Sequence, residues 1–294
     1  MMQRPLSLRA RLFRRLLGLM RSHFDALSIE ESRQSGNLTG FPLPAGTRIQ
    51  NVDDISAQWI DVGTTTPDHI ILYLHGGGYV QNTPKAHHPL IARICVASHR
   101  RALYLDYRLA PEHVFPAALD DTIAAYQWLL SRPIPASNIV LAGDSAGGGL
   151  AVAAMVKIRD SGLPLPSAAV LLSPFCDLTL SSPGARSDAD PIYTRGTLFR
   201  AGQLYAGSTP LDHPLLSPIN ADLRQLPPML IQAGEVELLR DDALILADRI
   251  RAAGGQVTVS IYDGLWHVWQ VYPPFIVPES RLAVEEIAAF MRAY

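Results

Sequence analysis

The chain has 294 residues, 48% of them hydrophobic and 18% charged, with a formal net charge of −2. That apolar content excludes an intrinsically disordered chain, and the near-neutral balance supplies no concentrated basic surface for nucleic acid. The only cysteines, Cys95 and Cys176, exclude a disulfide scaffold and point to reduced thiols in a cytoplasmic setting.

The first segment, Arg4 to Arg21, carries six arginines and no acid before Asp25. Arginines interrupt every apolar run, which argues against a secretory signal. Leu8, Leu12, Leu16 and Leu19 recur at helical spacing, widened by Phe13, Leu17 and Met20. The expectation is an amphipathic helix packed on the protein's own surface, with contact to a membrane surface as the alternative. No stretch reaches the roughly 20 apolar residues that span a bilayer, so no stable membrane insertion is expected.

Past residue 50, strand and helix patterns alternate. His69 to Leu74 is a short apolar run ending at a glycine-rich turn, as in a strand buried on both faces. A helix over Pro89–Ser98, a strand over Arg101–Asp106 and a helix over Asp120–Ser131 follow. Asn138–Gly143 reads as a third strand, followed at once by a small-residue helix through Ile158. Ala168–Ser173 and Met229–Gly234 read as further strands, and Asp241–Ala253 as a helix stopped by Gly254-Gly255. Val257–Tyr262 is the last strand and Glu279–Arg292 a closing amphipathic helix. Such repeated units predict one α/β domain over residues 1–294: a mostly parallel central sheet with helices on both faces. The N-terminal stretch to about residue 45, and residues 181 to about 210, break the alternation. Both are expected to form a helical cap over the carboxyl ends of the strands, where open α/β sheets place their sites.

Gly143-Asp144-Ser145-Ala146-Gly147 matches the G-x-S-x-G elbow between a buried strand and a helix. A turn that sharp needs neighbours nearly free of side chains, and it projects the serine hydroxyl into the cleft. A Walker loop would require Lys-Ser or Lys-Thr after its glycines, and none follows. His75-Gly76-Gly77-Gly78 ends an earlier strand. Its amides, those of Gly76, Gly77 and Gly78, are expected to join the amide of Ala146 in an oxyanion hole. His75 is expected to anchor that loop.

In this fold the base follows the serine and the acid. Of nine histidines only His213 and His267 lie after Ser145. His267 follows the last strand, whereas His213 precedes the fifth and breaks the order. The acid belongs after the fifth strand, where Glu235, Glu237, Asp241 and Asp242 compete. The two aspartates are accounted for by a helix start, where acids complement the dipole, which leaves Glu235 and Glu237.

These segments, with Asp106-Tyr107-Arg108-Leu109-Ala110-Pro111-Glu112, resemble the bacterial hormone-sensitive-lipase-like (family IV type) carboxylesterases of the α/β-hydrolase superfamily. Members often carry Asp-Pro-Leu-Arg-Asp after the fifth strand. Aligning it with Glu237-Leu238-Leu239-Arg240-Asp241 places Glu237 at the acid position. The resemblance implies a serine carboxylesterase for short- to medium-chain acyl esters, with a Ser145–His267–Glu237 triad and an acyl-enzyme. It also implies a homodimer joined through the last strand and C-terminal helix. No cofactor or metal is called for; the partner is a small-molecule ester. A deacetylase, amidase or lactonase could use the same site, and a non-catalytic ligand-binding protein is the reading from another class. Trp266, Trp269, Leu198, Phe199 and Tyr205 are candidate pocket walls, each equally explained as core.

Overall fold

The computed structural model describes residues 6–38, 40–63, 65–186 and 189–294. Its frame is an eight-stranded sheet built from β1 (Thr47–Asn51), β2 (Ala57–Val62), β3 (Thr66–Leu74), β4 (Arg100–Leu105), β5 (Ile139–Asp144), β6 (Ala168–Leu172), β7 (Met229–Gly234) and β8 (Val257–Tyr262). The strand order is β1-β2-β4-β3-β5-β6-β7-β8. β2 runs antiparallel to both β1 and β4, and every other pair is parallel. β5 and β6 are buried along their whole length. This is why they read as unbroken apolar runs rather than alternating ones. The chain has an α/β-hydrolase fold.

Helices cover both faces. α3 (Pro84–Ser98) and α8 (Glu279–Ala293) contact each other, and a core of Ile71, Tyr73, Leu90, Ile94 and Ile287 lies between them and the sheet. α4 (Ala117–Leu130), α5 (Ala146–Asp160) and α7 (Arg240–Ala252) enclose the larger core around Leu72, Leu141, Leu171 and Ile231. The expected strands and helices are present, with ends differing by a few residues. β1 and β2 have no counterpart among the sequence expectations. β1 (TRIQN) has no apolar run, because it lies at the sheet edge with mostly exposed side chains.

α1 (Leu8–Ala26), α2 (Ile29–Leu38) and α6 (Arg195–Ala206) are the helices of the two segments outside the alternation. α6 places Tyr205 flat against Tyr79, with ring centroids 3.8 Å apart. α1 is helical as expected, but the leucine stripe is not the side that packs. Ala10 and Leu17 are buried, and Phe13 packs beside Trp266 and Tyr272. Arg14 donates to the carbonyl of Gly264, which fixes that side inward. Leu8, Leu12, Leu16 and Leu19 face away, 50–82% exposed. Arg4 lies outside the described residues.

Candidate active site

Ser145 stands between β5 and α5 with φ 52° and ψ −120°, a strained conformation for a residue with a side chain. Backbone bonds hold it there: its amide donates to Leu172 O at 2.8 Å, and its carbonyl accepts from Phe175 N at 2.9 Å. A methyl group on Gly147 would collide with the carbonyl oxygen of Leu74, so only glycine lets the first turn of α5 pass β3.

His267 arrives on the loop after β8. Its Nε2 lies 2.9 Å from Ser145 Oγ, and Tyr193 meets its ring edge-on at 5.2 Å. Glu237 arrives on the loop after β7, buried, with Oε2 3.7 Å from His267 Nδ1. That spacing is longer than a closed hydrogen bond, as unliganded sites often are. Burial pushes the Glu237 carboxyl up, although His267 and the Ser173 hydroxyl act to lower it. For His267, burial opposes the charged ring. The nearby Glu237 carboxylate, helped by Asp190 and Asp144, outweighs it, so the imidazole is held above its ordinary range.

The competing acids have other occupations. Glu235 is exposed and accepts the Gly264 amide at 2.8 Å. Asp241 and Asp242 lie in the first turn of α7, as expected. Asp241 accepts the Gly184 amide, and Asp242 accepts the Asp177 amide and the Ser182 hydroxyl. His213 receives the Leu215 amide and packs beside Phe115.

The glycine loop departs from expectation at one residue. The Gly76 N–H donates to Asp144 Oδ1 at 3.0 Å. One N–H cannot also hold an oxyanion, so Gly76 drops out of the candidate donors. Among the described residues, the amides of Gly77, Gly78 and Ala146 have no protein acceptor. Gly77, at φ 118°, would drive a Cβ into the Gln81 carbonyl, so its glycine is required by the loop's shape. His75 is fully buried and stacked on Tyr107 at 4.1 Å, with Nδ1 2.7 Å from Gly76 O. Burial, then the nearby His87, pushes its pKa down to about 3, so it is a neutral anchor rather than a proton carrier.

Beneath the loop lies an ion pair that the sequence pattern did not reveal. Asp144 is buried, accepting from Tyr73 OH at 2.9 Å as well as from Gly76, with Oδ2 3.1 Å from His87 Nε2. The other ring nitrogen of His87 faces Thr83 O at 2.9 Å. The carboxylate on one side and the nearer carbonyl on the other favour the protonated ring, and the Thr83 hydroxyl also reaches Nδ1, at 3.2 Å. Burial opposes this charge, but Asp144 outweighs it and raises the His87 pKa, while His87 in return lowers that of Asp144. Ser173, at the end of β6, was likewise missed. It donates to Glu237 Oε2 at 2.7 Å and accepts the Val268 amide at 3.1 Å, joining the acid loop to the histidine loop. Apart from the Thr83 contacts, each joins residues more than 50 apart in sequence. Only the Asp inside the elbow and the Ser closing a strand could have hinted at them. Of the candidate pocket walls, Trp266, Trp269, Leu198 and Tyr205 are buried in packing, and Phe199 is half-buried. Among the described residues no cluster of His, Cys, Asp and Glu could hold a metal ion, and no helix is long and apolar enough to cross a membrane.

A serine on a strained elbow against a buried histidine is an arrangement suited to hydrolysis, and comparison with known proteins places the chain among hydrolases. Residues 71–271 match the family model described as the alpha/beta hydrolase fold. An acetyl-hydrolase of Streptomyces hygroscopicus is 41% identical over 252 residues, covering 85% of this chain and 83% of the relative. A crystallised esterase of the bacterial hormone-sensitive lipase family superposes with TM-score 0.90 at 39% identity, covering 95% and 97% of the two chains. The esterase EstE5, in a crystal soaked with p-nitrophenyl butyrate, gives TM-score 0.92 at 34% identity, covering 98% of each chain. The chain belongs to the α/β-hydrolase family, in its hormone-sensitive-lipase-like esterase branch, and it is a carboxylic ester hydrolase.

Proposed function

We propose that this esterase cleaves short- to medium-chain acyl esters by two-step acyl transfer on Ser145, with His267 as base and Glu237 as the acid that orients it. The observation that carries the reading is the 2.9 Å contact between Ser145 Oγ and His267 Nε2 at the elbow. Ser145 Oγ forms a bond to the ester carbonyl carbon as its proton passes to His267 Nε2. The oxygen that becomes negative is held by the amides of Gly77, Gly78 and Ala146, each donor being worth about 3 kcal/mol in the barrier. His267 then protonates the departing alcohol oxygen as its bond to carbon breaks. Water repeats the sequence, giving its proton to His267, and the carboxylic acid leaves with Ser145 restored. Glu237 fixes the ring so that Nδ1 keeps its hydrogen and Nε2 can accept one.

A short acyl group is favoured because one relative is named an acetyl-hydrolase and a structural neighbour was soaked with a butyrate ester. Residues 6 to about 45 and about 181–210 act as the cap of a single domain. The observation behind this is that α6 stacks on Tyr79 while α1 rests on the His267 loop. Two buried, unpaired cysteines fit a cytoplasmic enzyme. Ser145→Ala should remove hydrolysis of p-nitrophenyl acetate and butyrate by at least ~10³-fold and abolish labelling by a fluorophosphonate probe. Near-wild-type turnover in that variant would sink the mechanism.

A further inference from the structure

We propose that the outward face of α1 is a docking surface for an anionic lipid bilayer, on which the protein lies peripherally. Successive residues of a helix turn by about 100°. On that wheel Leu8, Leu19, Leu12 and Leu16 form one stripe, opposite the side that packs through Ala10, Phe13 and Leu17. The stripe is open, with Leu8 66%, Leu12 56%, Leu16 50% and Leu19 82% exposed. Arg11 and Arg15 border it on one side and Arg9 on the other, all three exposed. At the N-terminal end of the helix, Phe275, 59% exposed, extends the apolar surface, and its carbonyl accepts the Arg9 guanidinium. A contiguous apolar stripe on a water-soluble face is unfavourable unless something covers it.

The charge identifies the occupant. α1 has no acid in its first turn, and none before Asp25. A second copy laid face to face would bring Arg9, Arg11 and Arg15 against their own counterparts, with no acid between them. A bilayer of anionic headgroups accepts the leucines below the headgroup level and pairs with the arginines above it. α1 also rests on the loop that carries His267, through Phe13 on Trp266 and Arg14 on Gly264. Docking therefore holds the catalytic side of the molecule near the membrane, where apolar esters partition.

The test is flotation of the full chain with phosphatidylcholine vesicles containing about one-third phosphatidylglycerol. It does not require the hydrolytic mechanism to be right. Wild type should float with these vesicles, not with pure phosphatidylcholine, and should be released by about 0.5 M salt. Leu12→Glu/Leu16→Glu, with unchanged circular dichroism, should lose at least about tenfold in partitioning, and Arg11→Glu/Arg15→Glu should do the same. The assignment is overturned if wild type stays down with anionic vesicles or floats equally with neutral ones. It is equally overturned if the leucine variant floats like wild type, or if that variant only converts a dimer to a monomer in light scattering.

Discussion

His267 and His87 are both held above the ordinary imidazole range by a carboxylate, yet the expected consequences differ in sign. In the proposed mechanism His267 is neutral when it accepts the serine proton. Because Glu237 raises its pKa, the acid limb of kcat/KM should sit above the unperturbed value of about 6.5. Glu237→Gln should move that limb to lower pH and reduce kcat by roughly 10²–10⁴-fold, read from a pH–rate profile. A limb that does not move would remove Glu237 from its role. His87 is instead structural, and the Asp144 carboxylate favours its charged form. Its raised pKa means that its contribution to stability is full below the unfolded value and lost as pH rises through the folded one. Asp144, with a lowered pKa, contributes above its unfolded value and loses that contribution as pH falls through the folded one. Urea unfolding should therefore show a stability maximum between these limits, and His87→Gln should flatten the alkaline decline. Asp144→Ala strands His87, the Tyr73 hydroxyl and the Gly76 amide together, and should cost about 3–5 kcal/mol in the same measurement.

At the scale of elements, close approach decides which positions tolerate change. α5 begins under β3, and Gly147 is where the two backbones nearly touch. Gly147→Ala should cost about 1–3 kcal/mol or more in stability. It should also lower kcat/KM by at least ~10²-fold, because the displaced elbow misplaces Ser145 Oγ. Gly18→Ala is the contrasting case, since nothing lies within 4 Å of the added methyl in α1. It should stabilise by about 0.5–1 kcal/mol, seen as a higher urea midpoint. The elbow was legible in the sequence because its chemistry is local: strand, small residues and helix follow one another within a few positions. Buried β5 and β6 were legible for the same reason. α1 was legible as a helix but not in its orientation, since two apolar faces compete and only Trp266, Tyr272 and Gly264 select the Phe13 side. Gly76 was misassigned because the partner that claims its amide, Asp144, lies 68 positions away. That pairing exists only because β3 and β5 are adjacent in the sheet.

Across the whole molecule the sheet has two open edges of different character. β1 (TRIQN) is short, polar and mostly exposed, which discourages pairing with another sheet. β8 (VTVSIY) carries no charge and is largely β-branched, so it invites pairing. Met229 N donates to Gln256 O, and the parallel register then directs the amides of Thr258 and Ser260 toward β7. Those of Val257, Val259 and Ile261 point away from the sheet. A second copy can meet this row by a two-fold axis, with β8 antiparallel to its own counterpart and α8 alongside. We propose that the homodimer forms there. Light scattering should give about twice the chain mass of 32.1 kDa. Val259→Pro removes an outward donor without touching the β7 ladder, and proline is tolerated on an edge strand. The variant should therefore return to the monomer mass with its circular dichroism intact. A wild type that is monomeric, or a proline variant that stays dimeric, would place the contact elsewhere or remove it.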